Sequence, residues 1–293
     1  MKKPIRRRRR RAGFYVASAA WIAVILVGIF PVWFVLTGSF MGSPELIERY
    51  QQVFYTGTVI TEDTKTFLHL FPSWLSFEQY YNALLGSSEY LTRFWNSMIL
   101  LVPILVGQLL ISAMTGYAMA KLRFPGKRWL TMLYMLVFLM PVQVTLLPNF
   151  LVLQRLGLIG SRLAVILPAV FNPFGTFWLC QFARKLPDTT LEMARVEGAG
   201  EGTVFTRIAL PQMMPAISAL GIMTAIDVWS MVEQPLTLMQ TQSAQPLSVT
   251  LASLAQTQPT IGFAYCTIYL LPLVMLFMMA QEHLVDGISD MMI

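Results

Sequence analysis

Charge is scarce in this chain. Only 12% of its 293 residues are Asp, Glu, Lys or Arg, whereas 56% are hydrophobic. Soluble domains carry about twice that charged share, so a soluble enzyme or binding module is a poor fit. Histidine and cysteine are rarer still. His69 and His283 stand far apart, and Cys180 and Cys266 form no C-x-x-C, so neither zinc nor dithiol chemistry is indicated and no metal site is expected. No G-x-x-x-x-G-K-[ST] phosphate loop occurs anywhere, so the chain is not expected to hydrolyse ATP. No Ser–His–Asp spacing stands out, and a catalytic role is not expected. Low-complexity linkers and a separate soluble domain are also lacking.

What the chain has instead is long apolar runs. Six are long enough to cross a bilayer as helices: Phe14–Phe40, Phe94–Ala118, Trp129–Leu153, Leu163–Phe182, Pro211–Trp229 and Ile261–Ala280. The fold expected is an all-α integral membrane protein with six transmembrane helices. The first run, about 27 residues, exceeds the apolar stretch of a signal peptide and is followed by no small-residue cleavage site, so it reads as a crossing. Residues 1–13 then form a basic N-terminus and 14–293 one transmembrane domain, its core at 94–280. Nineteen methionines read as flexible apolar packing rather than metal ligands.

Orientation follows from Lys and Arg in the flanks. With the N-terminus inside, the inner flanks hold eight at Lys2–Arg11, four at Lys121–Arg128 and four at Arg184–Arg207. The outer flanks hold three between Met41 and Arg93, two at Arg155 and Arg162, and none between Leu236 and Pro259. Sixteen against five places the N-terminus in the cytoplasm, and six crossings return the C-terminus there. The Arg6–Arg11 run fits an anionic inner leaflet better than RNA, because it directly precedes a crossing. Gly42–Thr92 is expected outside. Its Trp74, Phe77, Tyr80 and Tyr81 suit an amphipathic interfacial helix, or a docking surface for an extracellular partner.

One polar loop interrupts the apolar pattern: Asp188–Pro211, DTTLEMARVEGAGEGTVFTRIALP. Pro187 ends the preceding segment. Thr189 to Glu192 has the T-x-x-E form of a capping box, which would start a helix. Leu191, Ala194 and Gly198 share one helical face, a shallow surface for a close-fitting partner. Gly198, Gly200 and Gly202 break that helix. A second short helix is expected over Thr203–Ile208, and Pro211 suits the first turn of the next crossing.

Glu192, Ala194, Gly198, Ile208, Leu210 and Pro211 stand at the spacing Glu-Ala-Ala, three residues, Gly, nine residues, Ile, one residue, Leu-Pro. Met193 replaces the second position, and Glu197 takes the place of an Asp. This loop resembles the cytoplasmic coupling loop in membrane subunits of ATP-binding-cassette (ABC) importers. Further segments resemble the carbohydrate-importer permeases of the maltose-transporter type: Asn96-Ser97, Gly116 to Lys121 with Arg123 to Lys127, Leu147 to Phe150 with Leu156-Gly157-Leu158, Phe177, Gln181-Phe182, Leu186-Pro187, Trp229, Pro235-Leu236, Gln281 and Gly287. The likeness covers about Phe77 to Gly287. Ser230 stands where the family usually has Asn, and the chain ends SDMMI where many relatives carry a Gly- and Lys-containing tail.

The resemblance implies a type I ABC importer permease fold in a bacterial cytoplasmic membrane. It implies import of a sugar or oligosaccharide, with a sister permease, a cytoplasmic ATPase dimer and an extracellular solute-binding protein as partners. ATP and Mg would sit on the partner ATPase, with no cofactor on this chain. Glu192, Ala194, Glu197, Gly198, Ile208, Leu210 and Pro211 are the expected coupling residues. Polar groups within crossings are candidates for the solute path: Gln143, Asn149, Asn172, Asp227 and Glu233. Tyr117, Trp178 and Trp229 offer faces for sugar stacking, or simply pack helices. Pro141, Pro148, Pro168 and Pro173 are expected to kink the third and fourth crossings. Two other readings stand beside this one. An ion-driven secondary transporter or channel would need acids at mid-membrane, and only Asp227 and Glu233 lie near a crossing. A membrane assembly factor would use the loop for docking alone. Amino acids, polyamines and glycerol phosphates remain open as solutes.

Overall fold

A computed structural model describes residues 5–54, 71–86, 88–257 and 259–292, with side-chain surroundings for 18, 20–48, 71–86, 88–254 and 261–279. The side chains of Lys2–Arg11, His69, Gln281, His283, Gly287 and the SDMMI tail lie outside the described residues. Every regular element among the described residues is helical. In order these are α1 (Ile5–Gly38), α2 (Ser43–Phe54), α3 (Glu78–Tyr81), α4 (Glu89–Lys121), α5 (Lys127–Phe138), α6 (Val142–Arg155), α7 (Leu163–Val170), α8 (Pro173–Lys185), α9 (Asp188–Val196), α10 (Glu201–Val204), α11 (Leu210–Trp229), α12 (Glu233–Leu238), α13 (Leu247–Thr257) and α14 (Pro259–Met292). Wide π-turns follow α3 at Asn82–Gly86 and α10 at Phe205–Ala209.

Among the described residues five stretches are long and apolar enough to span a bilayer, Ala20–Gly38, Glu89–Lys121, Leu163–Lys185, Glu201–Trp229 and Ile261–Met279, and the bent pair Lys127–Phe138 with Val142–Arg155 makes a sixth when taken as one broken span. The expected third crossing, Trp129–Leu153, is not one helix. It is α5 and α6, bent against each other by 107°. Pro141 precedes α6 with extended backbone (ψ 144°); proline has no amide to donate and holds the residue before it out of the helical region. The fourth crossing is also interrupted, at Phe171 and Asn172. There the Asn172 side chain accepts from the Phe174 amide at 3.0 Å and starts α8, with Pro173 at its first position.

The chain forms two compact units, residues 1–88 with 253–269 and residues 89–252 with 270–293. In the first, Phe34 and Phe263 pack on the buried Met41 and Leu46. Gln79 is fully buried, donating to the Gly38 and Met41 carbonyls at 2.8 and 2.7 Å and accepting from the Ala264 amide at 3.3 Å. The expected interfacial helix is shorter than its aromatics: Trp74 and Phe77 precede α3, exposed, and only Tyr80 and Tyr81 lie on it. Phe77 and Tyr80 instead cluster with Phe40.

The second unit is built on α4 and α8, which meet closely through small residues. A Cβ on Gly116 would sit 2.9 Å from the Cys180 amide nitrogen, so only glycine permits this approach. Two apolar clusters flank the pair. One joins Ala113, Tyr117, Leu179, Ala183, Leu191, Met213 and Leu220; the other joins Leu100, Ile104, Val165, Val228 and Leu238. Polar ties close the far end of α4. Asn96 donates to the Ser243 carbonyl at 2.8 Å and accepts from Arg162 at 2.9 Å, and Ser97 accepts from the Leu247 amide at 2.9 Å. Outward surfaces of the spans carry bare Trp, Leu, Val and Phe, as a bilayer requires.

Candidate functional site

The polar loop folds between two spans as α9, a four-residue turn and α10, and α10 runs through a π-turn into α11. Pro187 caps α9, and no side-chain cap forms, so the expected capping box is absent. Helix starts at Asp188, which puts Thr189 inside the first turn rather than before it. The far end matches a Schellman motif. The Ala199 amide bonds back to the Ala194 carbonyl, and the Gly198 amide to that of Arg195, both at 3.0 Å. This places Gly198 at a left-handed φ of 89°, where residues with a Cβ are strained. The second helix begins at Glu201, two residues before the expected Thr203, and does not stop at Ile208. Pro211 supplies no amide to the residues before it, and the π-turn stands directly upstream.

The inward face of α9 is also corrected. Leu191 is buried and Ala194 packs beside it in the cluster with Leu179 and Val204. Leu191 and Ala194 therefore anchor the helix to its own chain and are not an open surface. Ile208 and Leu210 pack against the same cluster, while Glu192, Glu197, Gly198 and Pro211 are exposed. The free face carries Met193, 65% exposed, and Val196, 89% exposed. Sequence reasoning missed these two. Their i, i+3 spacing, offset from the Leu191–Ala194 stripe, was the available signal.

Charged groups fasten the loop. Lys121 ends α4, and its side chain is only 6% exposed. Its ammonium donates to the Leu186 carbonyl at 2.6 Å, to Asp188 Oδ1 at 2.7 Å and to the Arg184 carbonyl at 3.4 Å. That hydrogen bond and the charge of Lys121 hold the Asp188 carboxyl below its ordinary range. Across the glycine turn, Arg195 Nε donates to Glu201 Oε1 at 2.6 Å and Nη2 to Oε2 at 3.3 Å, which keeps Arg195 firmly protonated. Tyr117 of α4 donates to Glu201 Oε2 at 3.5 Å, and its ring lies 5.1 Å from that of Phe205. Beside these groups opens a cleft of about 600 Å³, walled by Arg123, Lys127, Arg184 and Glu192 among others. Among the described residues no three His, Cys, Asp or Glu side chains converge as metal ligands would.

The other candidates separate. Asn172 is engaged in capping α8. Trp229 is 3% exposed and packs edge-on against Phe94 at 5.8 Å, so its face is not open. The Trp178 indole donates to the Ala216 carbonyl at 3.1 Å. Asn149 is half-buried on α6 and Asp227 exposed near the end of α11. Gln143 and Glu233 do meet: the amide donates to both carboxylate oxygens at 3.2 and 3.1 Å. The pair joins the start of α6, after the Pro141 break, to the start of α12, after the break at Ser230–Val232.

With that geometry in hand, similar proteins are informative. Residues 108–290 match the family described as the binding-protein-dependent transport system inner membrane component. An arabinooligosaccharides transport system permease protein from Halalkalibacterium halodurans is 28% identical over 278 residues, 94% of each chain. A sn-glycerol-3-phosphate transport system permease protein from Yersinia pestis is 32% identical over 200 residues, 67% of this chain and 71% of its own. Among solved structures, a bacterial ABC transporter involved in the import of the acidic polysaccharide alginate superposes with a TM-score of 0.75 at 18% identity, covering 96% of this chain and 99% of that one.

Proposed function

This chain belongs to the inner membrane components of binding-protein-dependent transport systems, and from that premise we propose that it passes a carbohydrate, with Asp188–Pro211 as its contact to an ATPase. It is a multi-pass permease of a bacterial ABC importer, not an enzyme, and such a component works with an ATPase and a binding protein. The ATPase is a cytoplasmic dimer that holds ATP and Mg, a sister permease completes the pathway, and both termini face the cytoplasm. The excess of Lys and Arg on the inner flanks supports that orientation.

One observation carries the coupling assignment: outside the spans, a short helix strapped to α4 presents Met193 and Val196 to solvent. Exposed apolar side chains beyond the bilayer mark a protein partner. Closure of the ATPases around ATP would move that helix, and differential affinity for the two states would bias the pathway. For the solute path, Gln143 and Glu233 are the favoured polar pair, because they meet at two helix breaks. A carboxylate and an amide side by side suit hydroxyl groups.

The test is reconstitution of the chain with its ATPase, sister permease and binding protein in proteoliposomes. ATP-dependent uptake of a labelled oligosaccharide is expected, together with co-purification of the ATPase in mild detergent. Uptake driven by an ion gradient without ATP would refute the assignment. The Yersinia relative keeps a second solute class in view: competition by sn-glycerol 3-phosphate but not by oligosaccharides would replace the carbohydrate.

A further inference from the structure

One face of α4 reaches both arms of the polar loop. Lys121 and Tyr117 are four residues apart, so they lie on the same side of the helix. Lys121 is bound where α8 ends and α9 begins. Two of its acceptors, the carbonyls of Arg184 and Leu186, belong to the C-terminal end of α8, where free carbonyls and the helix dipole favour a cation. The third, Asp188, opens α9, where the dipole favours an anion. One ammonium thus satisfies the end of one helix and the start of the next. Tyr117 touches Glu201 at the start of α10, and Glu201 is held by Arg195 from the last turn of α9. Gly116, beside Tyr117, brings α4 against α8 too closely for any side chain.

From this arrangement we infer that Lys121 is the positioning residue that fixes α9 to the α4–α8 pair, so that displacement of the loop turns those spans instead of bending the loop. The inference rests on the permease reading above and adds the element that transmits the motion. Leu191 and Ala194 hold the inner face of α9 to the apolar cluster, and the Lys121 junction fixes the end at which α9 leaves α8, because Leu186 and Pro187 are extended and impose no helical continuity. Asp188 is a minor part of the junction, since its side chain is 73% exposed. The two backbone carbonyls, bonded to a nearly buried ammonium, are the major part.

The experiment compares wild type, Lys121→Arg and Lys121→Met in the reconstituted importer, reading ATP hydrolysed per solute imported. Met keeps most of the apolar stem and loses every donor; Arg keeps the charge. The ratio is expected to rise about tenfold in Lys121→Met and under about twofold in Lys121→Arg, since coupling energies are of that order. A wild-type ratio in Lys121→Met overturns the inference while leaving ATP-driven uptake, and hence the permease reading, intact. Absence of ATP-driven uptake in wild type removes both. Where Lys121→Met does not assemble, hydrogen exchange on the purified chain in nanodiscs decides. About tenfold faster exchange confined to Asp188–Val196 supports the role, and unchanged or uniformly faster exchange overturns it.

Discussion

Gly198 gives the sharpest handle on the loop. Its φ of 89° closes the end of α9, yet a Cβ there would meet nothing within 4 Å. Backbone strain and steric room therefore make separable demands. Gly198→Ala adds only the left-handed penalty, about 1–2 kcal/mol. Gly198→Asn adds less, because Asn tolerates that region better. Gly198→Asp has backbone tolerance similar to Asn but brings a charge. If an ATPase covers this turn, an unpaired buried charge costs about 3 kcal/mol, a loss of roughly a hundredfold in docking. Strain alone ranks the variants Ala worst, with Asp near Asn; a covered turn ranks Asp worst by a wide margin. The assay is recovery of the ATPase with each variant in mild detergent, alongside membrane yield as the control for insertion. Asp no worse than Ala would refute burial of position 198 at the interface. Wild-type recovery in all three would remove the turn from the docking surface altogether.

The outward face of α9 predicts a second effect: Met193→Ser with Val196→Ser should weaken ATPase recovery about tenfold or more while leaving the melting temperature of the free chain within a degree or two, because both side chains are already solvated there. Gly116→Val should do the reverse, lowering thermal stability of the chain itself, since its Cβ would start 2.9 Å from the Cys180 nitrogen and overpacking of this kind costs about 1–3 kcal/mol. The Lys121–Asp188 contact should resist acid. A carboxyl held below its ordinary pKa contributes stability above the unfolded value and loses it only as pH falls through the lower, folded value, so hydrogen-exchange protection of α9, corrected for intrinsic rates, should persist from pH 7 down to about 4. Protection lost between pH 6 and 5 would contradict this account of Asp188.

Much of the architecture was legible because lipid imposes it. Runs of apolar residues overlap all five unbent spans, with Pro211–Trp229 one residue from the start of α11 and Leu163–Phe182 running across both α7 and α8. The third failed as one helix because hydropathy cannot register a break: Leu139, Met140 and Val142 are as apolar as their neighbours, and the bend is set by the amide that Pro141 lacks. Pro141 was the visible sign, but a kink and a 107° turn look alike in sequence. Polar side chains were harder. Gln79 left no trace, since its partners are backbone carbonyls and an amide at Gly38, Met41 and Ala264, which no side-chain pattern announces. Trp229 suggested stacking by its place at a crossing end, and it is spent on Phe94 instead. Lys121 was read as a charge for topology and as the end of a family-like segment, not as a junction; its three acceptors depend on where α8 ends.

The Asp188–Pro211 loop shows how a motif can resemble a family's while its faces are misassigned. Spacing grouped Glu192, Ala194 and Gly198, but a stripe of small and apolar residues fits two purposes equally, packing inward or being approached from outside. In α9 the Leu191–Ala194 stripe has gone inward, and Met193 and Val196 are left largely exposed among the described residues. On α1 or α4 such exposure needs no partner, because those helices span the bilayer. α9 stands between two spans, with Arg184, Lys185 and Asp188 at its entrance, where a bilayer core is not available to it. Met193 and Val196 are the side chains that the proposed ATPase contact would cover, and the Lys121 junction on α4 is the anchor inferred for it.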